Sequence, residues 1–431
     1  MILAIVACST PPGVSGIAVV RISGEDAIKN VSTFVKDSPL NKTRPVSKVC
    51  FLVDKDGEVF DEAIVTSYIS PNSYTGENLV EISCHGNPKI ISKIIDLSVD
   101  AGSRLAEAGE FTKNAFLNGK LDLSEAEAVA SVIHSLSLAG VKAGIKNLRG
   151  GLSKEIYSIK SSLISVVANL EFNLDISEED LQPNLLKNSE KTILDTIKKL
   201  DACILSFKET KMFQSGASVV ILGPPNAGKS TLFNCLVSKD QSIVTDVEGT
   251  TRDVIEKSIN INGLPILLKD TAGIRESGDD VEKIGVERSF VEAKDADLTI
   301  ILNDRNLSFK GVKHIHVFNK SDIKSPDEKY DISISAKTGK NVKELKEVVY
   351  NSLISDKTNT DTLLTSKRQY NAIKSALKHI KDAYSLLIAE DSMELLVEDI
   401  NRSIGFLDSI TKKTTKDDVL DAVFSSFCVG K

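Results

Sequence analysis

The sequence has no apolar run approaching the roughly 20 residues that cross a bilayer. Its first residues carry Pro11, Pro12 and Gly13 and place no basic segment ahead of a short apolar stretch. Neither a membrane-spanning helix nor a secretory leader is therefore expected. Cysteine is sparse: Cys8, Cys50, Cys84, Cys203, Cys235 and Cys428 form no C-x-x-C pair and no regular spacing. Reduced thiols in a cytoplasmic protein are the simplest consequence. An excess of basic charge is also missing. With a formal net charge of −7 and a sequence pI near 5.5, bulk electrostatics argue for no nucleic-acid partner, and an RNA would need a local basic patch. Lys187, Lys191, Lys198, Lys199, Lys208 and Lys211 do gather along one stretch, which a solvated helix face explains better than an RNA-binding stripe.

What is present is ordinary in bulk and informative in pattern. A chain that is 41% hydrophobic and 26% charged, with a mean hydropathy of −0.04, can bury large cores and does not fit a disordered polymer. Its 431 residues exceed what one core usually holds. Residues 1–118 mix short β-rich runs (Ile17–Ile22, Ala63–Ile69, Leu79–Ser83) with turns and one or two helices, predicting an α+β domain. Residues 119–214 read as helical. Ser124-Glu125-Ala126-Glu127 has the form of a capping box, Gly150-Gly151 of a break, and Glu178-Glu179-Asp180 before Pro183 of an exposed connection. Ile193, Leu194, Ile197, Leu200, Ile204 and Leu205 recur at helical spacing and predict a buried stripe.

Residues 215–354 alternate strands (Ser218–Leu222, Ile266–Lys269, Leu298–Asn303, Ile315–Phe318, Ile332–Ile334) with helices from Ser230, near Ile284–Ala293 and at the end. That alternation predicts a mostly parallel sheet with helices on both faces. Residues 355–431 are helical again, so the expected architecture is a multidomain α/β protein. An N-terminal α+β domain precedes a helical domain, and an α/β unit is inserted into that helical domain.

Gly223-Pro224-Pro225-Asn226-Ala227-Gly228-Lys229-Ser230-Thr231 contains a full G-x-x-x-x-G-K-S phosphate loop between an apolar strand and a helix. Its backbone amides and the helix N-terminus suit phosphates. Lys229 would contact the β- and γ-phosphates, and Ser230 would hold Mg²⁺. Asp270-Thr271-Ala272-Gly273 stands in the position of the second metal motif. Asn319-Lys320-Ser321-Asp322 follows the strand Ile315–Phe318. The Asp322 carboxylate matches N1–H and the 2-amino group of guanine, which adenine does not present together, and this predicts GTP over ATP. Asn319 would support the base at N7, and Ser335-Ala336-Lys337 would offer the Ala336 amide to O6. Four motifs in this order predict a Ras-like phosphate-loop G domain. Between them lies Thr245-Asp246-Val247-Glu248-Gly249-Thr250-Thr251, where a threonine, Thr251 for preference, would complete the Mg²⁺ shell.

Ile274 occupies the position where Ras-like enzymes carry a water-orienting glutamine, so another group must orient the attacking water. Glu282 is a candidate, although by residue type alone a surface acid ahead of a helix describes it better. Arg275 is a weaker candidate for stabilising transition-state charge.

These motifs are joined by Thr10-Pro11-Pro12-Gly13, Arg21-Ile22-Ser23-Gly24, Tyr74-Thr75-Gly76-Glu77, His85-Gly86, Gly109-Glu110-Phe111-Thr112, Phe116 to Leu123 and the terminal Phe427-Cys428-Val429-Gly430-Lys431. Over its whole length the chain resembles the MnmE (TrmE) family of tRNA-modification GTPases. The G motifs would also fit ribosome-assembly GTPases; the flanks fit one family. The resemblance implies a homodimer formed through the N-terminal domain. It also implies a bound tetrahydrofolate (5-formyl- or methylene-tetrahydrofolate) and a heterotetramer with the FAD-dependent MnmG subunit that modifies C5 of wobble uridine in tRNA. It implies folate binding by Arg21, Glu81, Lys120 and Lys431, residues that would otherwise read as surface positions in the case of Arg21 and Lys120. It further implies K⁺ held by Asn226 with oxygens of Thr245, Val247 and Thr250, and Glu282 acting through water. Cys428 would belong to the modification site, as nucleophile or as lining. The terminal motif carries Val429 where isoleucine or leucine is common, and the segment between Leu302 and Asn319 is short.

Overall fold

The computed structural model describes residues 3–38, 40, 43–175, 183–239, 255–270, 291–326, 329–354, 364–389, 392–411, 417–425 and 427–431. In chain order the first elements are β1 (Ile5–Cys8), β2 (Ser15–Ser23), α1 (Ala27–Ser32), β3 (Val46–Val53), β4 (Val59–Tyr68), β5 (Leu79–Gly86), α2 (Pro88–Asp100), β6 (Arg104–Leu105) and α3 (Glu110–Leu117). The helices α4 (Leu123–His134), α5 (Leu138–Leu148), α6 (Gly151–Asp175) and α7 (Pro183–Ser215) follow. Next come β7 (Ala217–Leu222), α8 (Lys229–Lys239), β8 (Ile255–Ile261), β9 (Leu264–Asp270), β10 (Leu298–Leu302), β11 (His314–Phe318) and β12 (Ile332–Ser333). The last elements are α9 (Val342–Leu353), α10 (Lys367–Ile388), α11 (Met393–Thr411) and α12 (Asp417–Phe424). The chain divides into two compact units, one of residues 1–130, 148–157 and 404–431, the other of 131–147 and 158–403.

The first unit is built on a six-stranded sheet ordered β3-β4-β5-β2-β1-β6, antiparallel except for the β1–β6 pair. Alternation along β2 and β5 sends Val20, Ile22, Val80 and Ile82 to one face. There they pack, fully buried, with Val31 and Ile94. The opposite face buries Ile5, Ala7 and Phe111 with Ala106. Further along, α3 and α12 meet through Phe116, Phe424 and Phe427 and through a Lys113–Asp421 ion pair at 2.8 Å. At the start of α3, Glu110 pairs with Arg104 and accepts from the Glu107 amide at 2.8 Å. Burial works to raise the Glu110 pKa, but the Arg104 hydrogen bonds, the Glu107 amide and the charges of Arg104 and Lys113 outweigh it and hold the carboxyl below its ordinary range.

The second unit carries a six-stranded sheet ordered β12-β11-β10-β7-β9-β8, parallel as the alternation predicts except for the edge strand β8, which forms a hairpin with β9. Its core runs from Val219 and Ile221 through Leu268 and Ile300 to Leu345 and Val349. The helices α7 and α10, which flank this sheet in sequence, pack on each other, with Phe207 stacked on Tyr370 at 4.6 Å and Lys381 paired with Asp201 at 3.0 Å. That contact makes the α/β segment an insertion between helical partners.

Some details depart from expectation. The buried face of α7 contains Ile193, Thr196, Leu200 and Cys203, whereas Leu205 is 73% exposed. Two positions beyond Cys203, it falls off the helical stripe. The six lysines of this helix are all exposed. The connection at 178–180 and most of the helix expected near Ile284–Ala293 lie outside the described residues. The break at Gly150 is present between α5 and α6.

The capping box also sits two residues earlier than expected. Asp122 Oδ1 accepts from the Glu125 amide and Glu125 Oε2 from the Asp122 amide, both at 2.8 Å, while the Ser124 hydroxyl is buried without a partner. Asp122 also accepts from Ser153. The acidic pair wins because an N-cap carboxylate satisfies helix-end amides at least as well as a hydroxyl. Asp122→Ala should therefore cost about 1 kcal/mol or more, and Ser124→Ala should be neutral or stabilising. Urea midpoints of the two variants check this order.

Candidate functional site

The central strand β7 is buried along almost its whole length and ends at Leu222. The chain then turns through Gly223 to Gly228 into α8. Gly228 adopts φ +93°, and a Cβ there would collide with the side-chain amide of Asn319, so the loop requires glycine at this point. Asn226, also left-handed at φ +62°, is exposed. Lys229 Nζ donates to the carbonyls of Gly223 at 2.9 Å and Pro224 at 3.2 Å, which holds the ammonium across the loop. Ala227 is buried, while Ser230 and Thr231 stand exposed on the first turn of α8, where orphan amides and the helix dipole favour an anion. The register of β9 sets Asp270 opposite Ile221, beside this loop. The side chain of Asp270 lies outside the described residues. So do Thr271, Ala272, Gly273, Arg275 and Glu282, and the segment Thr245, Asp246, Val247, Glu248, Gly249, Thr250 and Thr251.

Asn319, 3% exposed at the end of β11, ties the loops together. Its Nδ2 donates to the Ala227 carbonyl at 2.8 Å. Its Oδ1 accepts from the amides of Lys320 at 2.8 Å and Ala336 at 3.0 Å. The Ala336 amide, expected to face a base, is thus engaged by Asn319. The Ser335 hydroxyl hydrogen-bonds the Asp322 carboxylate and, with Asp322's own amide and the nearby charges of Lys337 and Lys320, lowers its pKa; the group stays ionised at neutral pH. Lys320, at φ +70°, and Lys337 are exposed. Phosphate loop, Asn319–Asp322 and Ser335–Lys337 therefore meet at the C-terminal edge of one parallel sheet, where open α/β sheets bind ligands.

A second cluster lies in the N-terminal unit. Arg21 on β2 stands directly opposite Glu81 on β5, with Nε and Nη2 donating to Oε1 at 3.0 and 2.7 Å. The guanidinium lies 5.3 Å from the Tyr74 ring and 5.6 Å from the Phe111 ring, and its Nη1 reaches the Gly430 carbonyl at 3.5 Å. Ser9 Oγ donates to the same carbonyl at 2.9 Å. Gly430, at φ +96°, leaves no room for a Cβ against the Cys8 carbonyl. Lys431, half-buried, follows it. Tyr74 is fixed by Thr112 at 2.8 Å and Tyr68 approaches the second Glu81 oxygen at 3.5 Å; burial raises both phenol pKa values. Lys120 Nζ donates at 3.0 Å to the Pro71 carbonyl, on the loop that carries Tyr74. The structure thus brings Arg21 and Glu81 into contact, links Arg21 to the residue before Lys431, and seats Lys120 on the neighbouring loop. Nothing in the sequence motifs marks Ser9, Tyr68, Tyr74 or Thr112 for a role at this cluster. Tyr74 and Thr112 lay inside quoted motifs, but only the fold reveals that they converge on Arg21.

A parallel sheet with a phosphate loop after its central strand, and base-type motifs after the next strands, defines a phosphate-loop G-domain protein. Residues 4–120 match the family model described as GTP-binding protein TrmE N-terminus, and residues 123–428 match that described as MnmE helical domain. The chain belongs to the MnmE (TrmE) family. It is 36% identical over 458 residues to the tRNA modification GTPase MnmE of Thermotoga maritima, covering 99% of each chain. It is 38% identical over 447 residues to that of Aquifex aeolicus, again covering 99% of each. Among solved structures, Aquifex aeolicus Era bound to GDP·AlF4⁻ shares 26% identity over 38% of this chain and 66% of that one, with a TM-score of 0.25. The G domain of Thermotoga maritima FeoB shares 26% over 32% and 99%, with a TM-score of 0.24.

The thiols differ sharply in surroundings. Cys428 is exposed, whereas burial, with the Asp61 charge adding, pushes the Cys84 thiol up to about 11. Iodoacetamide at pH 8 should modify Cys428 while Cys84 and the buried Cys50 stay protected until the protein is unfolded, as peptide mass spectrometry would read.

Proposed function

We propose that this chain hydrolyses GTP and, with an FAD-dependent MnmG subunit, installs an aminomethyl-type group on C5 of wobble uridine in tRNA. The observation that carries the nucleotide half is the buried Asn319 amide, which joins the phosphate loop to the Asp322 and Ala336 loops. In this reading Asp322 pairs with the guanine edge and Asn319 and Ala336 border the base. Lys229 stabilises phosphate charge and Ser230, with Thr251, holds Mg²⁺. The exposed Ser230 hydroxyl on the first helical turn suits that ion. Asn226, with Thr245, Val247 and Thr250, holds K⁺ in place of an arginine finger, and Glu282 orients water. GTP hydrolysis then drives a conformational change in the complex.

The tRNA half rests on family membership. The relatives' names supply the substrate, and the side chains of the N-terminal cluster have chemistry suited to a tetrahydrofolate. Arg21, Lys120 and Lys431 suit the anionic glutamate tail and Glu81 the N–H donors of a pterin. Cys428 belongs to the same modification site. The domain division at 118, 214 and 354, the homodimer and a cytoplasmic location complete the reading. Among the described residues no helix is long and apolar enough to cross a membrane.

Lys229→Ala should lower the GTPase kcat by about 100-fold or more. The wild-type rate should fall sharply when Na⁺ replaces K⁺; equal rates in the two salts would remove the Asn226 cation site. Mass spectrometry of tRNA from a strain lacking the gene should reveal loss of the C5 modification, and unchanged wobble uridines would end the tRNA reading.

A further inference from the structure

Asn303 is the first residue after β10 and takes part in none of the phosphate-loop or base motifs. It is left-handed at φ +52°, a conformation asparagine tolerates better than most residues with a Cβ. Its amide donates to the Val317 carbonyl at 2.9 Å, so its backbone continues the β10–β11 ladder by one step. Its side chain then turns towards the neighbouring strand, and Oδ1 accepts from the backbone amide of Asn319 at 2.7 Å. Asn319 is the residue whose own side chain grips Ala227 and Ala336. Three hydrogen bonds thus meet at Asn319, one from the end of β10 to its backbone and two from its side chain, to the phosphate loop and to the Ser335–Lys337 loop.

We propose that Asn303 is a positioning residue for guanine recognition: by holding the Asn319 backbone it sets where the Asp322 carboxylate meets the base. This rests on the reading above, in which Asp322 pairs with guanine. Asp322 is exposed on a loop whose anchor is Asn319. The Ser321 amide, held by the Ile334 carbonyl at 3.0 Å, is the loop's next backbone tie. Removing the Asn303 acceptor leaves the Asn319 N–H, on a residue only 3% exposed, without its partner. The backbone must then shift to find another. A shift at Asn319 carries Asp322 away from the position where one carboxylate accepts two base N–H groups at once. Contacts that depend on the 2-amino group are therefore lost before contacts to phosphate.

The test separates the acceptor from the backbone conformation. Asn303→Gly keeps the left-handed turn and deletes the acceptor; Asn303→Asp keeps an oxygen in the same place. With the full chain, dissociation constants for GDP and for IDP, which lacks the 2-amino group, are measured by competition with a fluorescent guanine nucleotide. Thermal unfolding of each variant is recorded alongside. The expected result is that Asn303→Gly weakens GDP by about tenfold while IDP changes much less, so that the GDP preference over IDP shrinks. Asn303→Asp should restore both values to within about twofold of wild type. Equal weakening of GDP and IDP in Asn303→Gly, or wild-type affinities in it, would overturn the proposal, as would a lost preference in Asn303→Asp. A wild-type protein that binds ADP as well as GDP would instead sink the guanine reading on which the proposal stands.

Discussion

A single buried amide governs the geometry of the nucleotide-type site. Asn319 has its backbone N–H, its Oδ1 and its Nδ2 all engaged by other parts of the second unit. A buried polar group left unpaired costs more than a formed hydrogen bond contributes, so such a fully satisfied side chain specifies one arrangement of its neighbours. The parallel sheet makes this possible. With β7, β10, β11 and β12 all running the same way, their C-terminal loops emerge on one edge within reach of one side chain.

The N-terminal unit solves a comparable problem with charge. On its antiparallel sheet, cross-strand register sets Arg21 against Glu81, and the Tyr74 and Phe111 rings beside the guanidinium limit the water that reaches it. Both side chains are only partly exposed, at 14% and 24%. Their mutual hydrogen bonds are what make such a placement tolerable. The C-terminal tail adds a carbonyl to the same arginine, with Ala108 bridged to Val429 and the Gly109 amide directed at the Cys428 carbonyl. Ends of the chain more than four hundred residues apart in sequence, at Ser9 and Gly430, share one hydrogen bond.

The expected strands Ser218–Leu222 and Ile315–Phe318 lie within observed strands and Ala63–Ile69 overlaps one that ends at Tyr68, because continuous apolar runs and period-two alternation respond to burial directly. The strands β1, β3, β6 and β8 match no expected strand. The runs of β3, β6 and β8 are short or interrupted by polar residues, and they exist because partner strands complete their hydrogen bonds; β1 lies in the continuous apolar run Met1–Cys8, which periodicity alone does not separate from a buried helix. The displaced capping box at Asp122 and the exposed Leu205 have the same origin: both sequence patterns were satisfied in more than one register, and packing chose between them.

The phosphate loop, the order of the base and metal motifs and the alternation around them were determined by sequence alone. Local chemistry dictates them: glycine where backbone must approach phosphate, lysine and serine at a helix start, a carboxylate beside a strand end. Only the tertiary structure decided that Asn303 would hold Asn319, that Tyr74 and Phe111 would flank Arg21, and that Gly430 would lie against Cys8. Those are contacts between distant segments, each made by residue types that are common and unremarked in one dimension. They come into being only when each sheet has closed and the buried polar groups at these positions have found their partners.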